Sequence, residues 1–273
     1  MNLAQFLFGL SLVLFASLFT TGGPWSAFLC LRQTVLGQRG CTPTGAIGNV
    51  TLHYFAERGR GEVIRLLLNE AGISYVETAF TKDTWPAAKE TGLASGAYTF
   101  GQVPVLFTNS EQPLAQTQAI MKRLGRASNM DCDCSDLSHC DAIALGTEDF
   151  RMQMYRVVYF EKFTNEARIA YLSGKAQTWF GYFEKLHQAG STPDHHGYFG
   201  AKGHITWVDF LVFDTIDAHV DVGTQVEGAD KYDVLAAFPK LRTFYSGFAK
   251  RPRIAAYLSS NRRPKLTLPP QVV

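Results

Sequence analysis

Tyr54 stands near the end of an alternating run, Val50-Thr51-Leu52-His53-Tyr54-Phe55, and a basic, glycine-rich turn follows it, Arg58-Gly59-Arg60-Gly61. A phenol at the lip of a strand can fill a core with its ring, or its hydroxyl can hold a hydrogen bond to a reacting atom. Arg58 and Arg60 read either as solvated turn charges or as cations beside a helix start. Backbone N–H groups and the helix dipole welcome an anion there. A second such place is Leu114-Ala-Gln-Thr-Gln-Ala-Ile120. Thr117 can cap the helix that begins there, or its hydroxyl and the neighbouring N–H groups can hold a ligand carboxylate in place of a cap.

Other stretches carry weaker chemistry. Thr206-x-x-Asp209 precedes an apolar run and fits a capping box, a folding device. Cys132, Cys134, His139 and Cys140 cluster in one segment, but the C-x-C spacing is not that of a zinc knuckle. The plainer reading is a polar loop between two domains. Asp194-His195-His196 reads as a loop without a carboxylate pair at helical spacing. Nucleophile-elbow, zinc-protease, phosphate-loop and dinucleotide fingerprints are all missing from the sequence.

The elements that must position these residues begin at Asn49. Val50, Leu52 and Tyr54 alternate as in a strand, and Gly61–Glu70 carries apolar residues at helical spacing, stopped by Gly72. Ser74–Phe80 reads as a second strand, and Trp85-Pro86 opens a short helix. Val103–Phe107 reads as a third strand, entered through Val103-Pro104, a candidate cis bond. A hairpin turn, a short strand around Pro113-Leu114 and a helix from Gln116 to Arg126 complete a β-α-β-α-β-β-α layer. After Ser128 the pattern is helical: Asp141–Phe163, Asn165–Gln188, Thr206–His219 and Phe238–Arg251. The expected architecture is a sheet domain followed by an all-helical one.

Composition sets the limits. The chain has 273 residues, 46% of them hydrophobic, which is enough for one large or two ordinary domains. A net charge of +2 gives no electrostatic case for a nucleic-acid partner. The five cysteines do not read as a disulfide framework, so the body has the style of a reducing compartment. Leu3–Phe19 is almost continuously apolar and fits a signal core, a minimal membrane span or a non-native leader. Glycine and proline between residues 32 and 48 read as a linker.

In their order and spacing, "YFAERGRGEVIRLLL", "TWPAAK", "GQVPVL", "LAQTQAIMKRLGR", "TEDFRMQMYRVVY", "ITWVDF" and "FPKLRTFYSGFAKRPRIAAYL" resemble the cytosolic glutathione transferases, tyrosine-type, nearest the pi and sigma classes. The resemblance implies an α/β thioredoxin-like N-terminal domain over 49–127 that binds glutathione. An all-α C-terminal domain would follow over 128–273, with 1–48 as apolar leader and linker. It makes Tyr54 the catalytic residue. Arg60, Trp85, Lys89, Gln102, Val103, Pro104, Gln116, Thr117 and Asp149 become glutathione-binding positions, Asp149 by reaching across a dimer interface. Phe55 and Tyr159 fall on the pocket for the second substrate, and Phe100 on an aromatic key between subunits. The implied partners are glutathione as co-substrate, a small apolar electrophile and a second copy of the chain, with no permanently bound cofactor and no metal. Two other activities stay open on the same fold: a ligand-binding protein without turnover, and a glutathione-dependent isomerase or peroxidase. The body is cytoplasmic in style, while the leader would allow secretory or membrane-anchored placement.

The chemistry of the tripeptide agrees. Glutathione is extended, with a carboxylate at each end, and wants a strand edge, an anion site at a helix start and a cation. Val103, Thr117 and Lys89 are of the right types for those roles. Its thiol, with a pKa near ~8.5, is only slightly ionised at neutral pH, and a phenol that donates to the thiolate favours the charged form.

Overall fold

The structure is a computed structural model, and it describes residues 47–109, 111–160, 164–190, 197–200, 204–226, 232–266 and 268. The apolar leader, nearly all of the linker and the Asp194-His195-His196 stretch lie outside the described residues. Among the described residues no helix is long and apolar enough to cross a membrane.

Strand β1 (Val50–Phe55) buries alternate residues. Val50, Leu52 and Tyr54 face the main core, while His53 turns to the other side. There it meets Phe80 and donates to or accepts from the Tyr98 hydroxyl at 2.8 Å. A 3-10 turn at Gly59–Gly61 leads into α1 (Glu62–Ala71), which Gly72 ends in the left-handed conformation expected of a glycine stop. Strand β2 (Tyr75–Phe80) runs parallel to β1, as the crossover through α1 requires. Helix α2 (Trp85–Ala94) starts with proline in its first turn. Strands β3 (Val105–Thr108) and β4 (Glu111–Ala115) form a hairpin, and β3 lies antiparallel to β1. The four-stranded sheet has the order β2-β1-β3-β4, and α3 (Thr117–Ala127) closes the layer.

The helical part comprises α4 (Leu137–Tyr155), α5 (Asn165–Ser173), α6 (Lys175–Gly190), α7 (Trp207–Thr224), α8 (Pro239–Ala249) and α9 (Pro252–Leu258). Helix α7 is apolar around most of its circumference because it is buried on all sides. Its start carries the expected capping box: the Asp209 carboxylate accepts from the Thr206 N–H at 2.7 Å and from its hydroxyl at 2.8 Å.

Three expectations need correction. The single helix expected over Asn165–Gln188 is two, divided at Gly174, whose N–H bonds back to the Ala170 carbonyl and closes α5. The stop expected at Arg251 holds for α8, but Pro252 is itself the first residue of α9. Arg251 before it is extended, as a residue preceding proline prefers. The third is the cysteine cluster, read as no disulfide framework: Cys132 and Cys140 are disulfide-bonded, with Cα atoms 6.6 Å apart. The first turn of α4, closed by the Cys140 N–H on the Asp136 carbonyl, brings Cys140 back toward the linker strand. Eight residues of sequence separation hide that return.

Candidate active site

A cleft of about 460 Å³ opens where β3, the start of α3 and one face of α4 meet. One wall is Gln102, Val103 and Pro104, and the Val103–Pro104 peptide is cis. The floor at the helix start is Gln116, Thr117 and Gln118. The facing wall is α4, with Ala144, Leu145, Thr147, Glu148 and Arg151. These recur at helical spacing, so one face of one helix supplies them.

The α3 end of the cleft presents an uncapped helix start. No side-chain hydrogen bond caps α3, so its leading N–H groups are left for a ligand. Gln116, the residue before it, has φ +75° and ψ 116°, outside the regions that residues with a Cβ ordinarily occupy. Strain of this kind clusters at ligand sites. Thr117 is the first residue of α3, not its cap.

Tyr54 lies beside the cleft and not on its lining. Its hydroxyl oxygen accepts a hydrogen bond of 2.7 Å from the backbone N–H of Arg60, a residue that does line the cleft. The tyrosine is 8% exposed. Burial, with the nearby Tyr155, holds its phenol well above the usual range, so it is protonated at neutral pH. With the oxygen's acceptor role taken by Arg60, the O–H remains to donate.

The turn that presents Tyr54 is fixed from behind by Arg65 on α1. Its guanidinium donates to the carbonyls of Glu57 at 2.8 Å and Phe55 at 3.1 Å, and pairs with Glu77. It also lies 5.7 Å from the centre of the Tyr54 ring. Arg58 is not a solvated turn charge. It is 3% exposed and pairs with Asp217 and Asp221 of α7, which docks the turn onto the helical part. Arg60 instead turns to α4, where it meets Glu148 at 2.5 Å and the Met152 sulfur at 3.3 Å.

The remaining expected positions are distributed around the cleft. Lys89 is exposed, and its Cε lies 3.0 Å from where a Cβ on Gly101 would stand, beside the lining residues Phe100 and Gln102. Trp85 packs into an aromatic group with Phe55, Phe80 and Tyr98. Phe55 touches the Tyr54 ring edge-on. Tyr159 sits in a single π-helical turn, Arg156–Phe160, that follows α4, and packs edge-on against Tyr155. Burial pushes its phenol up to about 12. Asp149 is exposed and off the cleft, next to Glu148, which lines it. Phe100 is 61% exposed and Leu145 59%, both on the lining.

Glu148, Arg151 and Arg65 were not singled out from sequence. Arg65 left one trace, a lone charge inside Val63-Ile64-Arg65-Leu66-Leu67-Leu68. Arg151, which donates to Asp214 at 2.5 Å, needed the phase of α4 to be known.

Comparison with known proteins agrees with this geometry. Residues 50–126 match the family model of the glutathione S-transferase N-terminal domain, and residues 148–261 that of the C-terminal domain. Glutathione S-transferase P 2 of Bufo bufo is 29% identical over 215 residues, 78% of this chain and 93% of that protein. Glutathione S-transferase P 1 of Xenopus laevis is 28% identical over 221 residues, 81% of this chain and 96% of that one. The solved pi-class glutathione S-transferase of Onchocerca volvulus shares the fold, with a TM-score of 0.64 at 24% identity, covering 77% of this chain and 91% of that one. With both of its domain models matched in order, and with relatives aligned almost from end to end, the chain belongs to the glutathione S-transferase family.

Proposed function

We propose that this protein conjugates glutathione to small apolar electrophiles, with Tyr54 donating a hydrogen bond that keeps the bound thiol ionised. The observation that carries this reading is the 2.7 Å bond from the Arg60 N–H to the Tyr54 oxygen. It occupies an acceptor site of the phenol oxygen and leaves the O–H to donate, and the raised phenol pKa keeps that donor protonated. Lowering a thiol pKa by about two units needs roughly 2.7 kcal/mol of differential stabilisation. A charge-assisted hydrogen bond together with nearby positive charge and backbone dipoles reaches that order.

In this reading the γ-glutamyl carboxylate sits at the α3 start on Gln116 and Thr117. The cysteinyl backbone pairs with Val103 ahead of Pro104, and the glycyl carboxylate lies toward Trp85 and Lys89. Gln102 and Arg60 line the same cleft. Phe55 and Tyr159 bound an apolar space for the electrophile. The protein acts as a homodimer in which Asp149 completes the partner's site. The exposed apolar rim of Phe100 and Leu145 supports that assembly. Functionally the chain divides into a leader and linker over 1–48, a glutathione-binding domain over 49–127 and a helical domain over 128–273. Placement turns on whether the apolar leader is a signal core, a membrane anchor or a non-native leader.

The test is a difference-spectrum titration of the bound thiolate, with conjugation of an aryl halide followed in parallel, on wild type and Tyr54→Phe. Wild type should titrate about two pH units below free glutathione. Tyr54→Phe should keep glutathione bound, titrate near the free value and lose more than about tenfold in turnover. An unshifted wild-type thiol without turnover would favour a ligand-binding protein. Unchanged turnover in Tyr54→Phe would remove Tyr54 from the mechanism.

A further inference from the structure

The Cys132–Cys140 bond joins two parts of the molecule that are held in different ways. Cys132 lies in the linker between α3 and α4, which is anchored from both sides. The Met130 N–H bonds to the Gly125 carbonyl of α3 at 2.8 Å, and the Trp207 N–H of α7 bonds to the Met130 carbonyl at 2.8 Å. Asp131 accepts from Arg126 and from the Trp207 indole, both at 3.1 Å. Cys140 lies in the first turn of α4, four residues before Ala144, the first α4 residue on the cleft. The bond therefore transmits the linker's anchorage to the helix that forms the cleft's second wall. The contacts from the α4 start to α3 include a half-exposed Lys122–Asp141 pair at 2.7 Å and Gln118 on the Ala144 carbonyl at 3.2 Å, and Ile143 and Ala144 are buried in the core. The two polar contacts are weak tethers beside a covalent one.

The two sulfurs differ in access. Cys140 is fully buried, with its sulfur 3.2 Å from the Gly200 carbonyl oxygen. Cys132 is 6% exposed and is followed by three exposed residues, Asp133, Cys134 and Ser135. Both residues are buried, but the exposed run begins directly after Cys132, which makes Cys132 the nearer of the two to solvent.

From this placement we infer that Cys132–Cys140 is an exchangeable staple: glutathione is its redox partner, and the redox state of the glutathione pool sets how firmly α4 closes the site. A glutathione thiolate attacks the Cys132 sulfur, and the bond to Cys140 breaks. Cys140 leaves as a thiolate and takes a proton from water. A second glutathione thiolate then attacks the glutathione sulfur of the mixed disulfide, releasing Cys132 as a thiolate and glutathione disulfide. Two electrons pass from two glutathione thiols to the cystine, and oxidation by glutathione disulfide runs the same steps in reverse. Asp131 and Asp141 are paired with Arg126 and Lys122, which leaves Asp133 and Asp136 beside the bond in sequence to repel an anionic thiol. Exchange is therefore slow beside a catalytic cycle, so the staple follows the pool and is not consumed at each turnover. The loop it closes is short, so its loss loosens the α4 start without unfolding the chain. Ala144, Leu145 and Glu148 of the cleft wall lie on the helix that the bond holds, so the coupling is read as glutathione affinity.

The coupling to the site rests on the glutathione-binding reading above, whereas the exchange itself does not. The full chain is equilibrated across ratios of reduced to oxidised glutathione, quenched in acid and alkylated, and its cysteine peptides are identified by mass. Cys132 and Cys140 should become protected together as the oxidised share rises, with a glutathione adduct on Cys132 at intermediate ratios and the same transition in Cys134→Ser. Alkylation of both at every ratio, or protection of both even in fully reduced glutathione, would overturn the inference. In parallel, glutathione affinity is read by tryptophan fluorescence on the oxidised chain and on chain kept reduced with a phosphine. Reduction should weaken binding on the order of fivefold, and Cys140→Ala should sit at the reduced value in either condition. Equal affinities would remove the coupling. If Cys140→Ala fails to fold by circular dichroism, the reduced wild type supplies that arm. If the exchange occurs but no electrophile is turned over, the transferase reading fails and the exchangeable bond stands.

Discussion

A Cβ placed on Gly61 would stand 2.4 Å from Cδ1 of Tyr54, so the tyrosine ring lies flat against bare glycine backbone. The steric need at Gly61 is for closeness, since its φ of −77° is open to any residue. Gly61→Ala should therefore push the ring from its place and break the alignment of its hydroxyl with the Arg60 N–H. Overpacking of this kind costs roughly 1–3 kcal/mol of stability. The expected result is a lower melting temperature and a turnover reduced by about tenfold or more. Wild-type turnover would show that the ring can shift and still work.

Thr117 separates a structural from a functional role. Because the helix begins at Thr117 and its hydroxyl does not cap it, Thr117→Val should leave the melting curve nearly unchanged. Loss of a hydrogen bond to a charged ligand group should raise the KM for glutathione by about tenfold, equivalent to roughly 1.5 kcal/mol, with kcat preserved. A large stability loss with unchanged KM would return Thr117 to the structural role.

Phe100 and Leu145 expose apolar surface beside the cleft, while Asp149 points away from it. Sedimentation velocity should find a dimer, and Phe100→Asp should weaken it by at least about 2 kcal/mol, a factor of roughly 30 in Kd. Asp149→Ala should raise glutathione KM and leave the dimer intact. A monomeric wild type at micromolar concentration would remove both expectations.

His219 supplies a pH dependence unrelated to the cleft. Its Nδ1 faces the Thr215 carbonyl at 2.7 Å, so Nδ1 carries the hydrogen, and Nε2 accepts from the Tyr171 hydroxyl at 2.8 Å. Burial, with a smaller contribution from Arg151, lowers its pKa from 6.5 to about 4. Between those values the unfolded chain binds a proton that the folded chain refuses. Stability present above about pH 6.5 is therefore lost as the pH falls toward 4, by roughly 3 kcal/mol. Urea melts of wild type and His219→Gln should differ by a curve that flattens the acid limb in the variant. Parallel curves would show that His219 titrates normally.

The strand at Val50–Phe55, the glycine stop at Gly72, the start of α2 and the capping box at Thr206 and Asp209 were all legible from local patterns. Each depends on neighbours a few residues apart. Part of the cleft's lining was legible, with Gln102 to Pro104 and Gln116-Thr117 each sitting where an element begins or ends, and Tyr54 at a strand end beside it. The break at Gly174 was not, since apolar spacing continues across it. Nor was the fate of Arg58, since a guanidinium in a glycine-rich turn looks the same in sequence whether water or Asp217 receives it.

By itself the sequence determined the sheet layer, the helical half and the residue types at the element ends that border the cleft, because period and turn chemistry are short-range. Only the tertiary structure decided which of those groups meet. It turned Glu148 and Arg151 onto the cleft and left Asp149 outside it, because a helix's phase is set by what it packs against. It put Arg65 behind the Tyr54 turn, because a buried guanidinium must find carbonyls and carboxylates to satisfy it. It joined Cys132 to Cys140, because the first turn of α4 folds back on an anchored linker, a contact that spacing alone does not encode.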